Sequence, residues 1–171
     1  IVRAYGARLV GRDALASEAI WEDLYGAYRD QGQKGLAISA LSGVDIALWD
    51  LKGKALGMPV SALLGTPVRD RVRAYASRLM PDTTDEVATA VATLRAAGFT
   101  AAKFGWGPIG QDADHDIALA EAAVAAGGPG FAVMIDAGLG YVADTATATR
   151  VARAYEEIGI GWLEEPFEPD E

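Results

Sequence analysis

The sequence has no cysteine, which removes disulfides, thiolate zinc sites and cysteine nucleophiles together. Its single histidine, His115, lies between Asp114 and Asp116 at an expected helix start and reads as a solvated surface residue. Positive charge is scarce: 15 Lys and Arg stand against 24 Asp and Glu, a net charge of −9. An acidic surface repels phosphate backbones, so no nucleic-acid partner is expected. Long apolar runs are missing as well. The longest uncharged stretches, Ala55 to Val68 and Ala122 to Ile135, are short and broken by Gly and Pro, whereas a membrane span needs about eighteen or more apolar residues. No membrane association is expected. Ile1 to Gly6 have neither the run nor the flanks of a signal peptide, and a cytoplasmic location is expected. The chain does not start with Met, which reads as a start inside a longer gene product.

What is present is enough to form a core: 51% of the 171 residues are apolar, which argues against disorder. The pattern divides near Thr66-Pro67. Before it, Asp13 is the expected N-cap of a helix carrying Ile20, Leu24 and Tyr28 at four-residue steps. Gly32 to Gly35 break the chain, and a longer helix is expected from about Leu36 to Leu56 with Leu41, Val44, Leu48, Leu51 and Ala55 on its apolar stripe. Gly57 and Pro59 stop it. Val60, Leu63 and Leu64 suggest one further turn. Asp50 is placed to pair with Lys54 at i+4. Asp45 and Lys52 fall on the apolar side and read as a buried pair or an interdomain contact.

After Pro67 a strand–helix unit repeats. Strands are expected at Val72 to Ala76, Thr100 to Phe104, Phe131 to Ile135 and Ile160 to Leu163. The helices after the first three carry Val87, Val91 and Leu94; Ile117, Ala120 and Val124; and Val151, Tyr155 and Ile158. This alternation predicts an α/β fold with a parallel sheet. A closed parallel barrel needs eight units and about 250 residues, so four units make half of one.

In such folds the chemically active side chains gather at the C-terminal ends of the strands. Lys103, Asp136 and Glu164 occupy that position on successive strands, 33 and 28 residues apart, and are expected to converge on one rim. Asp136 and Glu164 are hard oxygen donors suited to Mg²⁺. A lysine beside that cation and partly buried would have a lowered pKa and could serve as a general base. Surface ion pairs around a sheet edge are the alternative, an equal one for any single residue; three residues in register favour a site.

Ala40 to Val60 (ALSGVDIALWDLKGKALGMPV), followed by Leu63-Leu64-Gly65, resembles the signature of the mandelate racemase/muconate lactonizing group of the enolase superfamily. Ile135-Asp136-Ala137-Gly138 and Trp162-Leu163-Glu164-Glu165-Pro166 resemble that family's metal-ligand strands. The resemblance implies an α/β architecture: residues 1–66 would be the C-terminal helical part of an α+β capping domain, and residues 67–171 the first half, strands 1–4, of a modified (β/α)₇β TIM-type barrel. It implies that Asp136 and Glu164, rather than Glu165, are Mg²⁺ ligands, and that Lys103 is the second lysine of a Lys-x-Lys base motif. Ser77 matches a position that contacts the substrate carboxylate. Trp106, in Trp106-Gly107-Pro108, is either a wall of the substrate pocket or part of a rigid turn. Arg78 could reach an anionic substrate, although a loop arginine at the surface is the commoner case.

Some positions depart from the family pattern. Ala101 replaces the first lysine of Lys-x-Lys, and Gly138 stands where an asparagine is common. The third ligand and the second acid/base would lie beyond Glu171, and the chain reads as an interior piece of an enzyme roughly twice its length. The implied chemistry is Mg²⁺-dependent removal of the proton α to a carboxylate through a stabilised enediolate, with the lysine or histidine base general to enolase-superfamily sites. A sugar-acid dehydratase is the first expectation. A racemase or epimerase, a cycloisomerase, and a non-catalytic piece or pseudoenzyme are the alternatives. The implied partners are a small carboxylate substrate and further copies of the chain in a homo-oligomer. The 171 residues alone are expected to be inactive.

Overall fold

A computed structural model describes residues 1–31, 34–66 and 68–169. The expected break at Gly32 and the division at Pro67 lie outside the described residues. The chain separates into two compact units, Ile1–Arg71 and Val72–Glu171.

The first unit is helical: α1 (Val2–Leu9), α2 (Ser17–Gly26), a 3-10 turn at Arg29–Gln31, α3 (Leu36–Leu56) and α4 (Val60–Leu64). Its core joins Tyr5, Ile20, Leu24, Leu41 and Leu48. The phenol of Tyr5, buried on α1, donates to the Ala37 carbonyl at 3.2 Å. α3 has the expected span and ends on Gly57 with φ +65°, the left-handed stop that glycine adopts without a Cβ clash. Asp50 pairs with Lys54 at 2.6 Å as expected.

Several expectations for this unit need correction. α1 precedes the first helix that the apolar spacing predicts. Asp13 does not cap α2, whose N-cap is Ala16; its carboxylate instead accepts from Leu15 N at 2.9 Å within the preceding turn. The stripe of α3 buries Leu41 and Leu48 but leaves Leu51 and Ala55 exposed. Asp45 and Lys52 are only partly covered and form no ion pair among the described residues. The Lys52 ammonium lies 4.9 Å from the centre of the Trp49 ring, a cation–π contact that satisfies it without an acid.

The second unit alternates β1 (Ala76–Leu79), α5 (Thr84–Ala96), β2 (Ala101–Gly105), α6 (Ala113–Gly127), β3 (Ala132–Asp136), α7 (Thr145–Ile158) and β4 (Leu163–Glu164). The four strands form one parallel sheet in the order β1-β2-β3-β4. Alternation along each strand divides the side chains between two faces. Ala102, Phe104, Val133 and Ile135 are fully buried with Val87, Val91, Leu119, Ala120 and Val151 from the helices. The other face carries the intervening residues, Lys103, Met134 and Asp136 among them.

The first and last strands begin later than expected. Residues 72–75 make no ladder; Arg73 instead donates to the side chain and carbonyl of Thr100 at 3.0 and 2.6 Å. Ile160 N is engaged by Tyr155 O at the end of α7; backbone bonds to β3 begin with Gly161 N donating to Val133 O at 2.7 Å, and the paired residues of β4 are Leu163 and Glu164. α5 is fixed at its start by a capping box: Thr83 Oγ1 accepts from Glu86 N at 3.3 Å, and Thr83 N donates to the Glu86 carboxylate at 3.1 Å. Thr83→Ala removes one half of this reciprocal pair and should lower the stability of the second unit by about 1 kcal/mol. Urea unfolding measures that loss, and an unchanged midpoint would show the cap to be idle.

Candidate functional site

The register alone places three ionisable groups on one face. Lys103 pairs with Ser77 on one side and Met134 on the other. Two residues further on, Gly105 pairs with Asp136, and Asp136 pairs with Glu164. Two residues return a side chain to the same face, about 6–7 Å along the strand, a gap that the four-carbon stem of lysine can span. Lys103 Nζ accordingly donates to Asp136 Oδ2 at 2.9 Å and to Glu164 Oε2 at 2.7 Å. The Lys103 and Asp136 side chains are 11% and 12% exposed and that of Glu164 is 36% exposed, so water reaches the group from the β4 side.

Each acid has a second support. Gly138 N donates to Asp136 Oδ1 at 3.1 Å, and the Trp162 indole N–H donates to Glu164 Oε2 at 3.3 Å. Of the two successive glutamates, Glu164 faces the lysine. Glu165 is exposed and turns away with φ +47°. Gly105 permits the close pairing at this row, since a Cβ there would fall on the main chain of Asp136.

The carboxylates set the charge state of the amine. Hydrogen bonds from Lys103 to Glu164 and then to Asp136 hold its pKa well above the usual lysine value, outweighing the opposing effect of burial. With both acids bonded to it, Lys103 is held as an ammonium, burial being the weaker influence; the lowering expected beside Mg²⁺ belongs to the metal-bound site.

Beside the ion triad is a cavity of about 280 Å³ whose lining includes Ser77, Arg78, Lys103, Trp106 and Asp136. Ser77, expected after the first strand, lies within β1 opposite Lys103. Arg78 is exposed at the same strand end. Trp106 follows β2 with its N–H donated to Asp136 O at 3.1 Å. Glu164 does not line this cavity. His115 is partly covered on the first turn of α6, its ring within 3.0 Å of Asp82 O, away from the triad's hydrogen bonds.

Two carboxylates that already share one cationic partner suit a divalent ion, because Mg²⁺ takes one or two protein carboxylates and completes its shell with water or substrate oxygens. Among the described residues no third acidic or histidine side chain joins them. The donor set fits Mg²⁺ as a two-ligand contribution.

One polar residue escaped the sequence reading. Asp116 is completely buried, and its Oδ2 accepts from the Tyr141 hydroxyl at 2.7 Å and from Gly110 N at 3.0 Å. It thereby ties the loop after β2 to the loop after β3. A signal was available: Leu119, Ala120 and Ala123 form the buried stripe of α6, and Asp116 precedes them at i−3, i−4 and i−7, on the same face.

The Mandelate racemase/muconate lactonizing enzyme N-terminal domain model matches residues 1–65, and the enolase C-terminal domain-like model matches residues 85–171. The chain belongs to the mandelate racemase/muconate lactonizing family. Among relatives of the chain is a D-galactarolactone cycloisomerase from Agrobacterium fabrum, 45% identical over 100% of this chain and 45% of that protein. An L-rhamnonate dehydratase from Saccharopolyspora erythraea is 37% identical over 100% of the chain and 42% of its own length. A mandelate racemase/muconate lactonizing protein from Paracoccus denitrificans PD1222, solved as a complex with magnesium, superposes with a TM-score of 0.79 at 34% identity, covering 94% of this chain and 44% of that one. The chain thus spans less than half the length of these family members. The four-stranded parallel sheet and its helical first unit match the partial barrel and capping-domain arrangement of the superfamily.

The buried Asp116 generates a pH prediction. Burial raises its carboxyl pKa, against the hydrogen bonds from Tyr141 and Gly110. The folded chain therefore keeps a proton on Asp116 at pH values where the unfolded chain, with an ordinary value of about 4, has released it. The residue's contribution to stability is lost as pH rises through the raised value. Asp116→Asn removes that loss, so its unfolding free energy relative to wild type should increase between pH 4 and pH 7 in urea titrations. A pH-independent difference would rule out the raised value.

Proposed function

We propose that Asp136 and Glu164 hold Mg²⁺ and that Lys103 is a general base, in an enzyme that removes the proton α to the carboxylate of a sugar acid. The observation that carries this reading is the shared ammonium: one amine bonded to two acids, 2.9 and 2.7 Å away, from three consecutive parallel strands. When bound, Mg²⁺ supplies the positive charge that stabilises an enediolate on the substrate carboxylate.

The chain's own residues supply positioning and proton transfer. Gly138 N orients the Asp136 carboxylate, and the Trp162 indole N–H orients that of Glu164. Ser77 and Trp106 border the space for the substrate, and Arg78 adds positive charge at the cavity edge. Lys103 Nζ carries the proton. Its ammonium would be disfavoured if Asp136 and Glu164 bonded a divalent cation instead, because the charge of that cation and burial both favour the neutral amine.

Removal of the α-proton serves either dehydration, by loss of a β-hydroxyl, or cycloisomerisation. The Saccharopolyspora relative supports the first outcome and the Agrobacterium relative the second; the dehydratase is the reading proposed here. Residues 1–66 are assigned to the helical part of the capping domain and residues 67–171 to the first half of the barrel. A third metal ligand and a second acid/base would come from barrel strands that these residues do not include, so the 171-residue chain by itself is proposed to lack turnover. A cytoplasmic homo-oligomer acting on a small-molecule acid, with no nucleic-acid partner, completes the reading.

Titration calorimetry of the chain with Mg²⁺ tests the metal site. Asp136→Asn and Glu164→Gln should each weaken binding by about tenfold or more, as expected when one of two charged ligands is neutralised. Lys103→Met should bind Mg²⁺ no more weakly than wild type, because the competing ammonium is gone. Equal affinity in the wild type and Asp136→Asn would refute the assignment. In D₂O with Mg²⁺ the isolated chain should leave the α-protons of both L-rhamnonate and D-galacturonate unexchanged, as followed by proton NMR; exchange of either would contradict the proposed lack of turnover.

A further inference from the structure

The connection after β2 is built around an aromatic side chain in an unusual backbone state. Trp106 has φ +60°, a left-handed conformation that large side chains seldom adopt. It is held there from both sides. Its N–H donates to Asp136 O at 3.1 Å, and Gly107 behind it, at φ +61°, is packed so that a Cβ would lie 2.6 Å from Met80 O.

The seat of the indole is Gly138. A Cβ built on Gly138 would lie 3.1, 3.1 and 3.2 Å from Cδ2, Cε2 and Cγ of Trp106. Nearly equal distances to three atoms of the five-membered ring place that point over the face of the ring rather than at its rim. Any side chain at Gly138 would press on the indole, and φ +53° at this residue further disfavours one. The same glycine donates its N–H to Asp136 Oδ1, so the indole rests on the segment that orients a proposed metal ligand.

With one face against Gly138, Trp106 is still 58% exposed, and it lines the cavity that Lys103 and Asp136 also line. Its second face is therefore open. Among the described residues the cations lying over aromatic rings are Lys34 on Tyr25 and Lys52 on Trp49, so no cation from this set covers the Trp106 face. The π-face of an indole is electronegative and attracts the positively polarised C–H groups of a sugar. A closed sugar ring presents several of them together on one flat side, whereas an open chain offers a flexible edge of alternating hydroxyls.

We propose that Gly138 is a specificity-determining residue: by having no side chain it seats Trp106 flat beside the ion triad, and the open indole face selects a ring-closed sugar acid over the open-chain form. This inference rests on the reading of the cavity as a sugar-acid site and adds to it the form of the sugar.

The test uses the 171-residue chain with Mg²⁺ and two matched probes, D-galacturonate, a pyranose bearing a carboxylate, and L-galactonate, the open-chain acid obtained by reducing its aldehyde carbon. Titrations are followed by calorimetry in every variant and, where Trp106 is present, also on its indole N–H resonance. The ring form should bind about fivefold more tightly, the scale of one aromatic stacking contact, and saturation of indole protons should transfer to the C–H groups of the ring. Gly138→Ala should shift the Trp106 resonance without ligand and reduce the preference to near unity. Trp106→Leu, which leaves Gly138 untouched, should abolish the preference as well. Equal affinities, a preference that survives in either folded variant, or no binding of either acid would overturn the proposal. Mg²⁺ titration of the same samples reads the metal assignment separately: Asp136-dependent Mg²⁺ binding without ring preference defeats this inference alone, and ring preference without Mg²⁺ binding defeats the metal assignment alone.

Discussion

Two carboxylates on adjacent strands at the same register row repel each other, and partial burial strengthens that repulsion because less water screens it. Asp136 and Glu164 occupy this position, and the Lys103 ammonium between them makes it tolerable. The arrangement is a balance of charge more than a source of stability. Ion pairs taken out of water recover little beyond their desolvation cost, whereas removing one partner leaves an uncompensated charge. Its effect on geometry is firmer. The ammonium holds the two acids at one point in space, where a second cation of suitable size would find the same oxygens.

The surrounding backbone is shaped to that point. At the triad's row the position on β2 is a glycine, and its missing Cβ lets Asp136 sit against the strand. The loops that follow β2 and β3 approach closely enough that a Cβ on Gly110 would overlap Gly140, and Asp116 fastens them from beneath through Gly110 N and the Tyr141 hydroxyl. Among the described residues Asp116 Oδ1 has no hydrogen-bond partner, so the two bonds to Oδ2 carry all the support this buried group receives from them. The strands fix where the ions are; this buried acid fixes the loops that frame them.

Much of this was legible from residue order. Strand–helix alternation, the apolar stripe of α5 and the convergence of Lys103, Asp136 and Glu164 follow from periods of 2 and 3.6 and from one repeat length, all local properties. Glu164 could be distinguished from Glu165 through the family pattern, and the alternation of the strand gives the physical reason. What could not be read depends on partners distant in sequence. Where β1 begins is decided by Arg73 bonding to Thr100 rather than by the propensity of Val72. The protonation of Lys103 depends on two acids 33 and 61 residues away, a dependence that no single residue carries. Helix geometry puts Asp45 and Lys52 on one side, as a buried pair or an interdomain contact, but a neighbouring tryptophan rather than Asp45 meets the lysine.

This difference separates two kinds of information in the site. The position of the ion triad is written in strand register, and a one-residue slip of any one strand would turn its member of the triad to the helix side; the triad is therefore as robust as the sheet. The surface beside the triad is written in the backbone of the connecting loops, in the left-handed turns at Trp106, Gly107 and Gly138 and in side chains that are absent as much as in those present. Changes there cost little of the helix-side core, because neither Trp106 nor Gly138 belongs to it. A single methyl group at Gly138 would move an indole without touching Lys103 or Glu164 directly. The loop surface can thus vary on this scaffold while the triad stays where the strands put it.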